Sequence, residues 1–313
     1  MKIGIVGTGN VGSTAAYSLV LQGIGSELVL VDHQPVLASA HVMDILHATP
    51  FSYPMHIRSG DFADLEGSAL VIIAAGVNQQ PGESRLALLQ RNAEIFADII
   101  PRIVKAAPAA ILLIATNPLD IMTQIASRIA IREGVSKERI LGTGTILDTA
   151  RFRSLLGQRY GVAPGSVHAY VLGEHGDSEV LAWSSASVAG VPLEEFIRAE
   201  GQLLSAQVMQ EIDQDVRRAA YKIIAGKGST YYGIGAAIAS LSRCILFDER
   251  SIYTASSVMH EIAGVQDVAL SLPHVIGRHG IQMTIQPPLS ESEKIALGNS
   301  AMVIKTHLDS ISV

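Results

Sequence analysis

A histidine flanked by glycines, in Gly173-Glu174-His175-Gly176-Asp177, follows an apolar run, and upstream of it stands Asp148-Thr149-Ala150-Arg151. These segments hold a proton donor, a carboxylate to orient it and a guanidinium. Imidazole exchanges protons near neutral pH, so His175 is the natural group to trade a proton with a carbonyl oxygen or an alcohol. A carboxylate on the second ring nitrogen fixes the tautomer and favours the imidazolium, and Asp148 is the candidate for that task. Asp148 and Arg151 are three apart in a helical pattern and share a face. The arginine fork can hold a carboxylate by two parallel hydrogen bonds. A plain ion pair within the helix explains the same two residues equally well, and only His175 tips the balance. A small 2-oxo acid is the substrate class that needs all three groups.

Near the N-terminus, Gly7-Thr8-Gly9-Asn10-Val11-Gly12 follows a strand-like run and opens a helical one. That context is what a dinucleotide-binding turn requires: glycines for the tight bend, for backbone approach to a pyrophosphate and for close helix packing, with the helix N-terminus facing the phosphate charge. Asp32 ends the second strand, where a carboxylate accepts from an adenosine ribose diol and repels a 2′-phosphate. His33, Gln34 and Pro35 offer no lysine or arginine for such a phosphate, so NAD is expected over NADP. A strand-end carboxylate that only caps the next helix is the alternative. Joined to the His175 group, this turn points to nicotinamide-dependent hydride transfer.

Two further stretches lie where ligands bind in such folds. Gly76-Val77-Asn78-Gln79-Gln80-Pro81-Gly82-Glu83-Ser84-Arg85 follows the third strand and reads as a loop hinged at both ends. Closed as a lid, it would expel water and bring Arg85 onto a carbonyl developing negative charge; an ordinary solvated loop whose arginine starts the next helix is the bland alternative. Asn117, in Ala115-Thr116-Asn117-Pro118, follows the fourth strand and can hydrogen-bond a substrate oxygen or the nicotinamide ribose, although Asn-Pro is also a common turn pair.

The elements that must carry these residues alternate. Ile3 to Val6, Leu28 to Val31, Leu70 to Ala74 and Ile111 to Ala115 are continuous apolar runs, as parallel strands covered on both faces should be. Ser13 to Gln22, Val36 to Leu46 and Leu86 to Val104 have helical spacing between them. The fold class expected is α/β: a doubly wound parallel sheet of Rossmann type followed by an α+β substrate-binding domain. The boundary falls near Gly144, giving an NAD-binding domain over 1–143 and a catalytic domain over 144–313. In the second half a helix is expected from about Ile146 to Leu156, a strand from Val167 to Leu172, and helices around Ile212 to Ile224 and Gly233 to Phe247. No linker separates the halves, which implies tight packing with a cleft between them.

Composition narrows the classes. The chain has 313 residues, 48% hydrophobic and 17% charged, with a formal net charge of −6, which argues against disorder and against nucleic acid as a partner. Cys244 is the single cysteine; it excludes an intrachain disulfide, suits a reducing compartment and, in an apolar run, reads as a buried inert thiol. No apolar stretch of membrane-spanning length and no leader-like segment is evident, so a cytoplasmic location is expected.

With these residues in place, the chain resembles the L-lactate and malate dehydrogenase family, and within it the bacterial L-lactate dehydrogenases. The likeness runs nearly end to end through GTGNVG, AGVNQQPGESR, ATNPLD, LDTARFR, GEHGDSEV and KGSTYYGIG. It implies an NAD-dependent oxidoreductase that interconverts pyruvate and L-lactate. His175 would be the acid/base, Asp148 its partner, Arg151 the carboxylate anchor and Arg85 the loop arginine. Asn117 would contact substrate and cofactor before a cis Pro118, Thr230 would line the substrate pocket, and Ile234 would pack against the nicotinamide. Gln79 stands where malate dehydrogenases have an arginine. A dicarboxylate would bury a second charge against a neutral amide, costing several kcal/mol, so pyruvate is favoured. Gln80 departs from the basic residue common at the next position.

The resemblance further implies a homotetramer, with Val36 to Leu46 as a contact helix between subunits, and an allosteric site for fructose 1,6-bisphosphate at Arg153 and His168. Arg153 lies two residues past Arg151, about 200° round a helix, facing away from the substrate side. Either residue is equally readable as a surface charge or a core histidine. Trp183 reads as packing or interface. A malate or other 2-hydroxy acid dehydrogenase is the rival within the enzyme class, and a dinucleotide sensor without redox chemistry is the rival outside it.

Overall fold

A computed structural model describes residues 1–77, 82 and 84–311. Six strands form its parallel portion: β1 (Lys2–Val6), β2 (Glu27–Val31), β3 (His56–Ser59), β4 (Ser68–Ile73), β5 (Ile111–Ile114) and β6 (Ile140–Gly142). They lie side by side in the order β3-β2-β1-β4-β5-β6, all parallel. The strand order reverses between β1 and β4, which opens a crevice beyond their C-terminal ends. The helices α1 (Asn10–Leu21), α2 (Pro35–Leu46), α3 (Arg85–Ala106) and α4 (Leu119–Arg132) cross over between these strands. Burial explains the pattern: Leu70, Val71, Ile72 and Ile73 are all fully enclosed, because helices cover both faces of the sheet.

The second half begins with α5 (Ile146–Tyr160), which ends at Gly161, whose positive φ of 69° closes the helix. It continues through the short strands β7 (Val167–His168), β8 (Val171–Leu172), β9 (Val180–Leu181), β10 (Ser187–Val188) and β11 (Val191–Pro192). The helices α6 (Leu193–Ala199), α7 (Ala206–Lys227) and α8 (Tyr232–Phe247) follow, then β12 (Ser251–Ile262), β13 (Val265–Gly277), β14 (Gly280–Thr284) and α9 (Glu291–Asp309). The stretch expected as one strand, Val167 to Leu172, is two: β7 pairs with β10, whereas β8 pairs with β9 in a different sheet.

The halves share one sheet. β12, β13 and β14 run antiparallel and join β6 through the Ser256/Gly142 pair, extending the sheet to nine strands. α8 packs along α1, where a Cβ at Gly235 would collide with Thr14. The C-terminal half is thereby fixed against the cofactor end of the sheet. Among the described residues no helix is long and apolar enough to cross a membrane, and Cys244 is buried with its thiol donating to the Ile276 carbonyl.

Candidate active site

The loop between β8 and β9 carries His175, and β13, α9, α4 and α7 hold it. Gly173 exchanges two backbone hydrogen bonds with Ser271 of β13, each 2.9 Å. Its φ of 85° turns the chain out of β8, and a Cβ there would run into Ser300 of α9. Ser300 Oγ accepts from the Glu174 backbone N–H at 2.8 Å. The backbone N–H of His175 donates to Asp120 Oδ2, in the first turn of α4, at 2.7 Å. From α7, Tyr221 donates to the Asp177 carboxylate and Arg217 to the Asp177 carbonyl. A histidine in a loop pinned this thoroughly has little orientational freedom left.

α5 is fixed to the same region by its threonines. Thr145 Oγ donates to the Val171 carbonyl, and Thr149 Oγ accepts from the Val171 backbone N–H. This sets Asp148 opposite the loop. Its Oδ2 lies 2.6 Å from His175 Nδ1, and its Oδ1 accepts from Arg151 Nη1 at 2.5 Å. The three residues singled out from the sequence thus converge on one carboxylate. The structure shows the intrahelical ion pair of Asp148 and Arg151, made through one guanidinium nitrogen. The Asp148 side chain is 3% exposed, whereas His175 and Arg151 retain 26% and 20%. The carboxylate is sealed behind a histidine and an arginine that still reach solvent.

Electrostatics favours a charged imidazole here. Burial alone would lower the His175 pKa, but the Asp148 carboxylate, by charge and hydrogen bond, together with Asp120 and Glu179, raises it to about 9. Burial likewise pulls Asp148 upward, yet His175 and Arg151 hold it below the usual carboxylate range. Asp120 is buried enough to be pushed up to about 6 despite hydrogen bonds from Ser256 and the His175 N–H. Ser256 donates to its second oxygen at 2.6 Å.

At the cofactor end, Gly7, Asp32 and Asn117 follow β1, β2 and β5 at the C-terminal edge of the sheet. A Cβ at Gly7, whose φ is 93°, would strike the Ala75 backbone, and one at Gly12 would overlap the Gly7 carbonyl. A Cβ at Gly9 meets nothing within 4 Å, leaving open approach to the start of α1, which has no side-chain cap and no acidic residue in its first turn. That suits a pyrophosphate. Asp32 accepts from the Thr8 N–H and hydroxyl and from the Gln34 N–H; burial raises its pKa, but these bonds and His33 carry it below the ordinary value. Asp32 therefore fastens the turn at the end of β2, with its side chain only 5% exposed.

Asn10 Nδ2 donates to Ser229 Oγ at 3.1 Å, which ties the glycine turn to the segment bearing Thr230. Val11 and Ile234 pack on one hydrophobic cluster. Asn117 is exposed, its bond to Pro118 is cis, and it sits three residues before Asp120. Gln79 and Gln80, like the side chain of Arg85, lie outside the described residues. Two residues beyond Arg151, Arg153 Nε donates to the Ala169 carbonyl at 2.9 Å with its guanidinium over the Tyr170 ring, while His168 is exposed one residue earlier on β7. Trp183 packs edge-on against the buried Phe152 with ring centroids 4.7 Å apart.

Sequence reasoning missed Asp120, Glu179, Ser256, Ser271 and Ser300. Two of them carried a signal: Asp120 ends the ATNPLD string, and Glu179 belongs to GEHGDSEV. The serines carried none.

Comparison with known proteins matches residues 1–142 to the NAD binding domain of lactate/malate dehydrogenase and residues 145–312 to the lactate/malate dehydrogenase alpha/beta C-terminal domain. An L-lactate dehydrogenase of Thermus aquaticus is 59% identical over 305 residues, 97% of each chain. One of Geotalea daltonii is 48% identical over 313 residues, the full length of both. Among solved structures, a lactate dehydrogenase from a Medee basin deep-sea metagenome library superposes with a TM-score of 0.94 at 38% identity, covering 99% of this chain and 98% of that one. The minor L-lactate dehydrogenase of Enterococcus mundtii gives 0.94 at 35%, covering 100% and 98%.

Proposed function

The chain belongs to the lactate/malate dehydrogenase family, and from that premise we propose that it is an NAD-dependent L-lactate dehydrogenase reducing pyruvate reversibly to L-lactate. The observation that carries the reading is Asp148 bonded through one oxygen to His175 and through the other to Arg151. NADH, when bound, supplies the hydride that C2 of pyruvate accepts. His175, protonated and held at Nδ1 by Asp148, gives its Nε2 proton to the carbonyl oxygen. The products are L-lactate, NAD+ and neutral His175, which in the reverse direction takes the hydroxyl proton back. Arg151 holds the substrate carboxylate with the guanidinium nitrogens that Asp148 does not use.

Arg85 is assigned to the reacting carbonyl, Gln79 to rejection of a second carboxylate, and Asn117 and Thr230 to the pocket wall. Gly7, Gly9, Asn10, Val11 and Gly12 hold the pyrophosphate, Asp32 the adenosine ribose, and Ile234 the nicotinamide face. A division into a cofactor domain over 1–143 and a catalytic domain over 144–313 fits this assignment. Steady-state oxidation of NADH by the purified protein tests it: turnover should be far faster with pyruvate than with oxaloacetate, and far faster with NADH than with NADPH. Equal rates with the two oxo acids would remove Gln79 from its role.

The proposal extends to a homotetramer in the cytoplasm activated by fructose 1,6-bisphosphate at Arg153 and His168. Its support is an α2 that leaves Val36 and Met43 83% and 61% exposed, an apolar face suited to a subunit contact. For the effector, the support is a half-buried arginine held beside the strand that carries an exposed histidine.

A further inference from the structure

A second anchored point lies where β4 leaves the sheet. Asn92, about two turns beyond the Arg85 that opens α3, is 1% exposed, and its Oδ1 accepts the Val77 backbone N–H at 2.9 Å. Two residues earlier, the Ala75 carbonyl accepts from Thr116 Oγ1 at 2.7 Å. Gly76 sits between these two grips: a Cβ there would come within 2.7 Å of the Thr116 methyl and 3.1 Å of Asn92 Oδ1. Ala75 in turn backs onto Gly7, whose added Cβ would strike its backbone nitrogen. The exit of β4 is therefore held beside the glycine turn by one side chain from α3 and one from the segment after β5. A buried amide is costly unless it is bonded. Asn92 devotes Oδ1 to the Val77 backbone, and its Nδ2 has no partner among the described residues. Packing of α3 alone would be served better by an apolar side chain, as at the buried Leu89, Ala93 and Phe96 around it.

We propose that Asn92 is a positioning residue for the substrate: by holding the Val77 N–H, it ties the exit of β4 to the helix that Arg85 opens, and so sets both ends of the stretch from Val77 to Arg85. The inference rests on the reading of Gln79 and Arg85 as substrate contacts. Gln79 follows Val77 by two residues, and a displaced Val77 would start that stretch from the wrong place. A misplacement of about 1 Å costs on the order of 10²-fold in rate. Asn92 acts through Val77, whereas the turn at Thr8 and Asp32 is fastened by bonds of its own.

Amide exchange and kinetics test this. In the parent the Val77 N–H should be protected, and Asn92→Leu should speed its exchange by about tenfold or more while the amides of α3 keep theirs. At saturating NADH, Asn92→Leu should lower kcat/KM for pyruvate by about 10²-fold, with NADH affinity, read from nucleotide fluorescence, changing far less. Asn92→Asp keeps the acceptor oxygen and replaces only the unpartnered Nδ2. Towards acid pH, where burial keeps the new carboxyl neutral, it should recover most of the parent's rate. An unprotected Val77 in the parent, an Asn92→Leu protein with the parent's kcat/KM, or equal losses in the Leu and Asp variants at acid pH would overturn the proposal. A protein that does not reduce pyruvate with NADH would overturn the assigned reaction instead, while the exchange of Val77 judges the anchoring independently.

Discussion

Asp120 and Asp148, carried by different helices, grip the same histidine from two directions. Asp120 Oδ2 accepts the His175 backbone N–H at 2.7 Å, and Asp148 Oδ2 lies 2.6 Å from the ring Nδ1. The first bond fixes where the loop sits and the second fixes how the ring is turned. α4 belongs to the cofactor half and α5 to the other, so the imidazole is aligned only when both halves are in register.

Replacing the acid should abolish turnover without abolishing cofactor binding. His175→Gln is expected to lower kcat for pyruvate by about 10²- to 10⁴-fold, the usual worth of a general acid. NADH affinity, followed by fluorescence of the bound nucleotide, should change little, because the glycine turn and Asp32 follow β1 and β2, not the β8–β9 loop that bears His175.

Removing the support beneath Asp120 should cost stability. Ser256→Ala takes away the hydroxyl bonded to Asp120 Oδ1 and leaves a buried carboxylate oxygen unsatisfied, at a cost of about 1–3 kcal/mol. Urea unfolding near neutral pH, above the raised Asp120 pKa of about 6, should show the loss. It should shrink at lower pH, where the protonated carboxyl needs less compensation.

The sequence made four of the six parallel strands and the Asp148, Arg151 and His175 cluster legible because both announce themselves locally. Enclosed strands must be apolar at every position, and glycines around a histidine leave little doubt that the backbone bends there. The β12–β13 hairpin escaped notice for an equally local reason. Its two-residue turn is Ala263-Gly264, with φ of 48° and 83°, and alanine in a left-handed conformation lacks the Asn-Gly or Asp-Gly signature of such turns. β3 was missed because His-Ile-Arg-Ser, on the sheet edge, has only Ile57 buried. Ser271 and Ser300 became part of the site through contacts formed across long sequence separations, which no spacing rule detects.

Substrate choice should yield to a single charge. Gln79→Arg is expected to raise kcat/KM for oxaloacetate relative to pyruvate by at least about tenfold, since the second carboxylate would then meet a cation rather than an amide. Comparing the two substrates at fixed NADH measures the ratio, and an unchanged ratio would place selectivity elsewhere.

The proposed effector site should be separable from catalysis. Fructose 1,6-bisphosphate should lower the apparent KM for pyruvate, and Arg153→Gln should remove the response. His168→Ala should do the same with little effect on melting temperature, because His168 is exposed. Absence of any response in the parent would end the allosteric reading and leave the catalytic one intact.

The central claim is that Asp148 keeps His175 protonated and oriented, and the pH dependence of pyruvate reduction tests it most directly. His175 is raised to about 9, above its unfolded value. The ion pair's contribution to stability is therefore complete below the ordinary histidine range and lost as pH rises through about 9, and the proton available for reduction is lost with it. In the parent, kcat/KM for pyruvate should fall on the alkaline side while lactate oxidation rises. In Asp148→Asn, burial without the carboxylate should lower the His175 pKa, moving that fall towards acid by about one to three pH units and reducing the maximum rate. An Asp148→Asn protein that keeps the parent's rate and its pH profile would contradict the account.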